Sequence, residues 1–286
     1  MRRILIAEDS ASQAVVIQQL LESAGFDAHV VNDGDQAIAE LEKQSYDVLV
    51  TDLLMPNMDG CELTRNVVKR FSHVPVVVIT ANGSESLAVD ALADGAVSFV
   101  PKSLLSSRLA ITLTDLIGRI DVERSSSQCG ATLLVPEFVV SLNNNLQFLS
   151  PVNQYIQRTL ALTGALDFVT RLRLTGAISS ALVNAVCYGN LDLKKDEDHI
   201  GRLINGEPGP ECSHAVRLVV SVGTQDLRFS VAHDGPGMVT RASPAPGTPQ
   251  SFELEDCRGM LLITSVMDHV HYDPPSQEMV MVKNLN

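Results

Sequence analysis

Short apolar runs and longer amphipathic ones alternate from Met1 to about Gly118. The short runs are "RRILIAED", "DAHVVN", "YDVLVTD", "VPVVVITA" and "AVSFVPK". Between and after them come "SQAVVIQQLLESAG", "GDQAIAELEKQ", "CELTRNVVKRF", "ESLAVDALADG" and "SSRLAITLTDLIG". Continuous β-branched positions mark strands buried on both faces, and the longer runs have the period of the helices that cover them. Five such pairs predict a doubly wound α/β domain on a parallel sheet. Ligands of such sheets gather at the carboxyl ends of the strands. Glu8 with Asp9, Asp52 and Thr80 end three of the strand-like runs, so four polar groups are expected to converge at one edge.

The stretch "GRIDVERSSSQCG" breaks this alternation with charge followed by serines, the composition of a short linker. The expected organisation is a first domain over 1–120, a linker over 121–130 and a second domain over 131–286. The second region opens with apolar "ATLLVPEFVVSL" and continues with helical "LQFLSPVNQYIQRTLALTG" and "RLTGAISSALVNAVCYGNLDL". Strand-like "HAVRLVVSVGTQDLRFSVAHD", a glycine- and proline-rich loop, helical "RGMLLITSVMDHVHY" and a closing strand "EMVMVKNL" follow. Helices followed by antiparallel-looking alternation predict an α+β sandwich, different in kind from the first domain.

Composition narrows the function. The 286 residues suit two domains, and a hydrophobic fraction of 45% fills two cores. The formal net charge of -13, with no block of lysine or arginine, argues against direct nucleic-acid binding. The longest apolar run, "LLVPEFVVSL", is too short to span a bilayer, and the start "MRRILIAEDS" meets acid at once. A cytoplasmic protein without membrane contact is expected. Cys61, Cys129, Cys187, Cys212 and Cys257 form no CxxC pair and are odd in number, which points to reduced, mostly structural thiols. His73, His199, His214, His233, His269 and His271 form no HExxH or comparable ligand set. The acidic run "DLKKDEDH" reads as a solvated loop or helix end.

Two adjacent acids ending one strand and a third ending another repel one another unless a divalent cation lies between them. Magnesium favours a few carboxylates plus waters. Glu8, Asp9 and Asp52 fit that site; Thr80 would hydrogen-bond a phosphoryl oxygen, and Lys102, ending the fifth strand, would pair with its charge. A carboxylate nucleophile suits this setting. Residues 1 to about 120 resemble a response-regulator receiver domain, a flavodoxin-like fold. The resemblance rests on "AED", on "DLLMPNMDG" with Met55, Pro56, Asp59 and Gly60, on "ITA" with Thr80, and on "FVPK" with Lys102. It implies a phosphoacceptor at Asp52, the Leu54 carbonyl in the magnesium shell, Phe99 as switch aromatic, and a histidine kinase or phosphotransfer protein as phosphodonor. The family's usual proline after the lysine is Ser103 here, with Pro101 before it.

In the second region "VAHDGPGMV" places Asp234 at a strand end before Gly235 and Gly237, glycines that permit close backbone approach beside a ligand. The proline-, glycine- and serine-rich "RASPAPGTPQSFELED" has the composition of a mobile lid. Gly259 opens a helix whose free N–H groups would suit a polyphosphate, and Asn184 offers a neutral oxygen to magnesium. The order and spacing resemble the histidine-kinase-type (GHKL) ATP-binding superfamily, particularly anti-sigma-factor serine kinases, over about Ala131 to Asn286. The resemblance implies magnesium ATP as ligand. It makes "ALVNAVCYGN" the N box with Asn184 as magnesium ligand, "DGPGM" the first glycine box with Asp234 on the adenine amine, and "RGMLLITSVMDHV", with Arg258 and Gly259, the second.

In that family a glutamate one turn before the N-box asparagine activates the attacking hydroxyl or water, whereas this chain has Ser180; Tyr188 also replaces a usual histidine. A serine hydroxyl is no general base near neutral pH without a partner, and losing positioned acid–base catalysis costs roughly 100- to 10,000-fold in rate. Either the unit binds ATP with weak or no kinase activity, or a nearby acid such as Glu207 or Glu211 supplies the base. The resulting expectation is a two-component response regulator phosphorylated at Asp52, whose ATP-binding output domain controls a partner by partner switching. By resemblance that partner is a STAS-type anti-sigma antagonist or a sigma factor, and homodimerisation through either domain is implied. The alternatives are a receiver-gated serine/threonine kinase and a scaffold that binds no nucleotide.

Overall fold

The computed structural model describes residues 1–81, 85–126, 137–193, 203, 213–236 and 255–285. They divide into two compact units, which part between Asp121 and Val122.

The first unit alternates β1 (Arg3–Ala7), α1 (Ala11–Ser23), β2 (Asp27–Val31), α2 (Gly34–Lys43), β3 (Val48–Asp52), α3 (Gly60–Arg70), β4 (Val76–Thr80), α4 (Glu85–Ala93), β5 (Ser98–Pro101) and α5 (Ala110–Ser126). The sheet order is β2-β1-β3-β4-β5, and every pairing is parallel. Strands β3 and β4 are buried along their whole length, which is why their apolar runs do not alternate. Helix α1 buries Ala14, Ile17 and Leu21 at helical spacing. Helices α2 and α3 begin at Asp33 and Asp59, whose carboxylates accept the N–H groups of Gln36 and Glu62 at 2.8 and 2.7 Å.

Helix α5 continues to Ser126, so the charged half of the stretch expected to be a linker from residue 121 is helical. Leu113, Leu116, Ile117 and Ile120 are buried at helical spacing. Asp121 pairs with Arg2 beside β1.

The second unit contains β6 (Glu137–Leu142), α6 (Leu149–Thr163), α7 (Phe168–Asn184), β7 (Val216–Val222), β8 (Asp226–His233), α8 (Glu255–Val266), β9 (His269–Asp273) and β10 (Glu278–Asn284). Its sheet, ordered β6-β7-β8-β10-β9, is antiparallel throughout. Leu227, Phe229, Val231 and His233 alternate inward along β8 and meet a helical core that includes Ile156, Ile178, Leu182 and Ile263. Helix α6 ends at Gly164 with a φ of 66°, a conformation glycine adopts without steric cost. The stretch read as one helix from Arg173 to Leu193 is α-helical only to Asn184; a π-helical turn over Ala185–Asn190 follows. The helix of "RGMLLITSVMDHVHY" starts earlier than expected, at Glu255, so Gly259 lies in its second turn and does not open it; it stops at Val266, and the alternation in "HVHYD" is β9.

Candidate functional site

The sheet order of the first unit reverses between β1 and β3, so the chain opens a crevice beyond their carboxyl ends. Glu8 follows β1 and Asp52 closes β3. The ligand oxygens of Glu8, Asp9 and Asp52 all lie within 4.8 Å of one another. Glu8 and Asp52 are buried and Asp9 is exposed, so the cluster opens to solvent on one side. Lys102, directly after β5, donates from Nζ to Asp52 Oδ2 at 2.9 Å and to Glu8 Oε2 at 3.3 Å. Asp52 Oδ1 accepts the N–H of Leu53 at 2.8 Å. The Asp52 carboxylate is thus held from both sides.

The turn after Asp52 depends on Gly60. A Cβ there would stand 2.7 Å from Leu53 Cα and 3.0 Å from the Asp52 carbonyl carbon, closer than side chains pack. The Gly60 N–H closes the loop on Leu53 O at 3.0 Å. Thr80 ends β4 beside Pro101 of β5 and is buried, as is Phe99, which pairs with Val78. The Leu54 side chain is exposed.

Burial, and then the Asp52 charge, raise the Glu8 pKa above the usual carboxylate value, with Lys102 opposing. Burial by itself lowers the Lys102 pKa, but its hydrogen bond and attraction to Asp52, then to Glu8, outweigh this and raise it. Crowded acids held by a single ammonium form an electron-rich, oxygen-only donor set. That set fits a hard divalent cation such as magnesium.

A family model described as "Response regulator receiver domain" matches residues 4–114. The sensory transduction protein RegX3 of Mycolicibacterium smegmatis is 36% identical over 119 residues, covering 42% of this chain and 52% of that protein. The transcriptional regulatory protein ZraR of Klebsiella oxytoca is 30% identical over 122 residues, covering 43% of this chain and 28% of that one. Among solved structures, a response regulator receiver domain protein of Clostridium thermocellum is 25% identical and covers 43% of this chain and 98% of that chain, with a TM-score of 0.41. Residues 4–114 are a response regulator receiver domain. The chain spans about half or less of the length of these curated relatives. The Glu8, Asp9 and Asp52 cluster is the kind of acidic site through which receiver domains typically bind magnesium.

Beyond the receiver domain, the second unit brings several of the expected residues together. Helices α7 and α8 run antiparallel: Gly259 lies against Ser180 and Asn184 at one end, and Arg173 donates to Ser265 O at 3.0 Å at the other. A Cβ on Gly259 would lie 3.3 Å from Asn184 Nδ2 and 3.4 Å from Ser180 Cβ. Asn184 and Arg258 are buried. Gly235 donates its N–H to Asn190 Oδ1 at 3.0 Å and stands so close to Asn190 that a Cβ would meet its Cα at 2.5 Å. The Asp234 carboxylate is exposed and accepts the Ala215 N–H at 2.6 Å, with His214 Nδ1 at 3.5 Å.

Gly237, Glu207, Glu211, Cys129 and Cys212, the lid-like stretch from 241 to 254, and the acidic run from 194 to 199 lie outside the described residues, as does the Cys257 side chain. Cys61 and Cys187 are buried, and burial pushes the Cys61 thiol up to about 11. Among the described residues no helix is long and apolar enough to cross a membrane.

Sequence reasoning passed over Gln13, whose Oε1 accepts from Lys102 Nζ at 2.5 Å. Its position in the first turn of the helix that follows Asp9 was the available signal. It also passed over Asn190, which bridges Gly235 and Asn144. No spacing rule marks a residue whose partners lie 45 and 46 positions away.

Proposed function

We propose that this chain is a two-component response regulator in which Asp52 accepts a phosphoryl group and a nucleotide-binding output unit holds or releases a protein partner. The observation that carries the first half is the Asp52 carboxylate, held between the Leu53 N–H and the Lys102 ammonium inside an acidic cluster. An Asp52 oxygen attacks the phosphorus of a phosphohistidine donor; the new O–P bond forms as the N–P bond breaks and the imidazole leaves. Lys102 pairs with the incoming charge. Thr80 bonds a phosphoryl oxygen, and Phe99 beside it transmits the change. Magnesium, when held by Glu8, Asp9, Asp52 and the Leu54 carbonyl, neutralises charge on the phosphoryl oxygens.

The second half rests on the α7–α8 crossing. Gly259 stands against Asn184, which supports a magnesium-ATP pocket of the GHKL kind, with Arg258 and Gly259 at the phosphates and Asp234, Gly235 and Gly237 at the base. Ser180 lies under Gly259, where a small side chain packs and no carboxylate stands, which supports nucleotide binding with weak or no phosphoryl transfer. The proposed partner is a STAS-type anti-sigma antagonist or a sigma factor, in the cytoplasm. The hydrogen bond from Ala215 N–H to Asp234 favours a second reading, a scaffold that binds no nucleotide, because it occupies the carboxylate that would receive adenine.

Equilibrium binding of magnesium ATP to the full chain, with and without beryllofluoride, separates these readings. ATP binding lost in Asn184→Ala supports the output pocket, and no binding leaves the scaffold. Beryllofluoride binding lost in Asp52→Ala supports the phosphoacceptor; binding that survives this change removes it.

A further inference from the structure

Lys102 Nζ has three protons and three acceptors: Asp52 Oδ2 at 2.9 Å, Glu8 Oε2 at 3.3 Å and Gln13 Oε1 at 2.5 Å. Two acceptors are carboxylates of the acidic cluster. The third is a neutral amide on α1, from outside that cluster. Ser12, Gln13, Val16, Lys102 and Leu105 also line one surface depression of about 340 Å³, so the Gln13–Lys102 contact forms part of its wall.

The three acceptors differ in what phosphorylation does to them. A phosphoryl group on Asp52 converts a carboxylate into an acyl phosphate, which moves the Lys102 partner from Asp52 to a phosphoryl oxygen. Glu8 shares its charge with any cation in the cluster. Gln13 takes part in neither exchange, and its oxygen is carried in the first turn of a helix anchored by Ala14, Ile17 and Leu21. We propose that Gln13 is a positioning residue of the receiver, whose side-chain carbonyl keeps the Lys102 ammonium aimed at the phosphoryl group while its two carboxylate partners change. The inference rests on the reading of Asp52 as phosphoacceptor.

The test is magnesium-dependent beryllofluoride binding to the full chain, comparing wild type with Gln13→Met, which keeps the side chain's length and removes the acceptor. Gln13 is exposed, so the variant retains the core. A hydrogen bond to a charged group, discounted for this exposure, predicts roughly fivefold to tenfold weaker beryllofluoride binding with magnesium affinity unchanged. The Lys102 ammonium signal in ¹H–¹⁵N spectra of the beryllofluoride complex should broaden by solvent exchange in the variant, an effect that altered helix packing alone would not produce. Equal beryllofluoride affinity, an unchanged ammonium signal, or an equal loss of magnesium affinity would each overturn the role of Gln13. A wild-type chain that binds no beryllofluoride instead removes the phosphoacceptor reading itself.

Discussion

Gly259 and Asn184 stand so close that a single methyl group on the glycine would lie 3.3 Å from the asparagine amide. The crossing of α7 and α8 is therefore tight at 259, where a side chain would press on Asn184 and Ser180. Gly259→Val should destabilise the second unit by about 1–3 kcal/mol through overpacking. Denaturant unfolding followed by a probe in that unit measures this, and a midpoint equal to wild type would show that the helices separate freely.

The same argument is sharper in the receiver. Gly60 faces backbone atoms of Asp52 and Leu53, which cannot swing aside as a side chain can. Gly60→Ala should cost about 1–3 kcal/mol and displace the Asp52 carboxylate. Magnesium affinity and the unfolding midpoint should fall together. Retention of both would mean that the loop has another conformation available.

Asn190 is buried and uses both ends of its amide, accepting from Gly235 N–H and donating to Asn144 Oδ1 at 2.7 Å. Asn190→Ala leaves a buried N–H without its acceptor, a loss of about 1–3 kcal/mol. Asn190→Asp keeps the acceptor for Gly235 but not the donor for Asn144, so it should lose less of the Gly235 contact. Amide hydrogen exchange at Gly235 distinguishes the two variants, and equal protection in both would contradict the assignment.

His233 is buried on the inner face of β8, and neither ring nitrogen has a hydrogen-bond partner among the described residues. Its ring occupies the space where a Gly189 side chain would stand, 2.7 Å from the expected Cβ. Burial lowers its pKa below the ordinary 6.5; Asp234 opposes this and His214 adds to it. The unfolded chain takes up this proton near 6.5, while the folded chain resists until a lower pH. Stability should therefore be insensitive to this group above that value and fall as the pH drops through it towards the folded pKa. Unfolding at pH 7.5 and 5.5, compared between wild type and His233→Leu, isolates the effect. An equal acid loss in both chains would assign it to other groups.

The alternation of runs up to Gly118 contained the receiver's architecture because a doubly wound sheet buries each strand on both faces, which writes strand and helix directly into hydropathy. Its acid cluster was legible for a related reason: in such a sheet Glu8, Asp9, Asp52 and Lys102 share an edge by virtue of ending strands. The extent of α5 was not legible, because charge followed by serines reads like a linker until the stripe from Leu113 to Ile120 is seen to be buried. The π-helical turn at Ala185–Asn190 was equally invisible, since it follows from the packing of Gly189 on His233 and of Gly235 on Asn190.

The sequence by itself determined which segments form strands and helices in the receiver and which polar groups lie at its functional edge, because local periodicity and strand-end position suffice for that. Only the tertiary structure decided that Gln13 completes the partners of Lys102, that Ser180 packs beneath Gly259, and that Asn190 ties Gly235 to Asn144. Those relationships depend on where separate elements cross, and no spacing along the chain specifies a crossing.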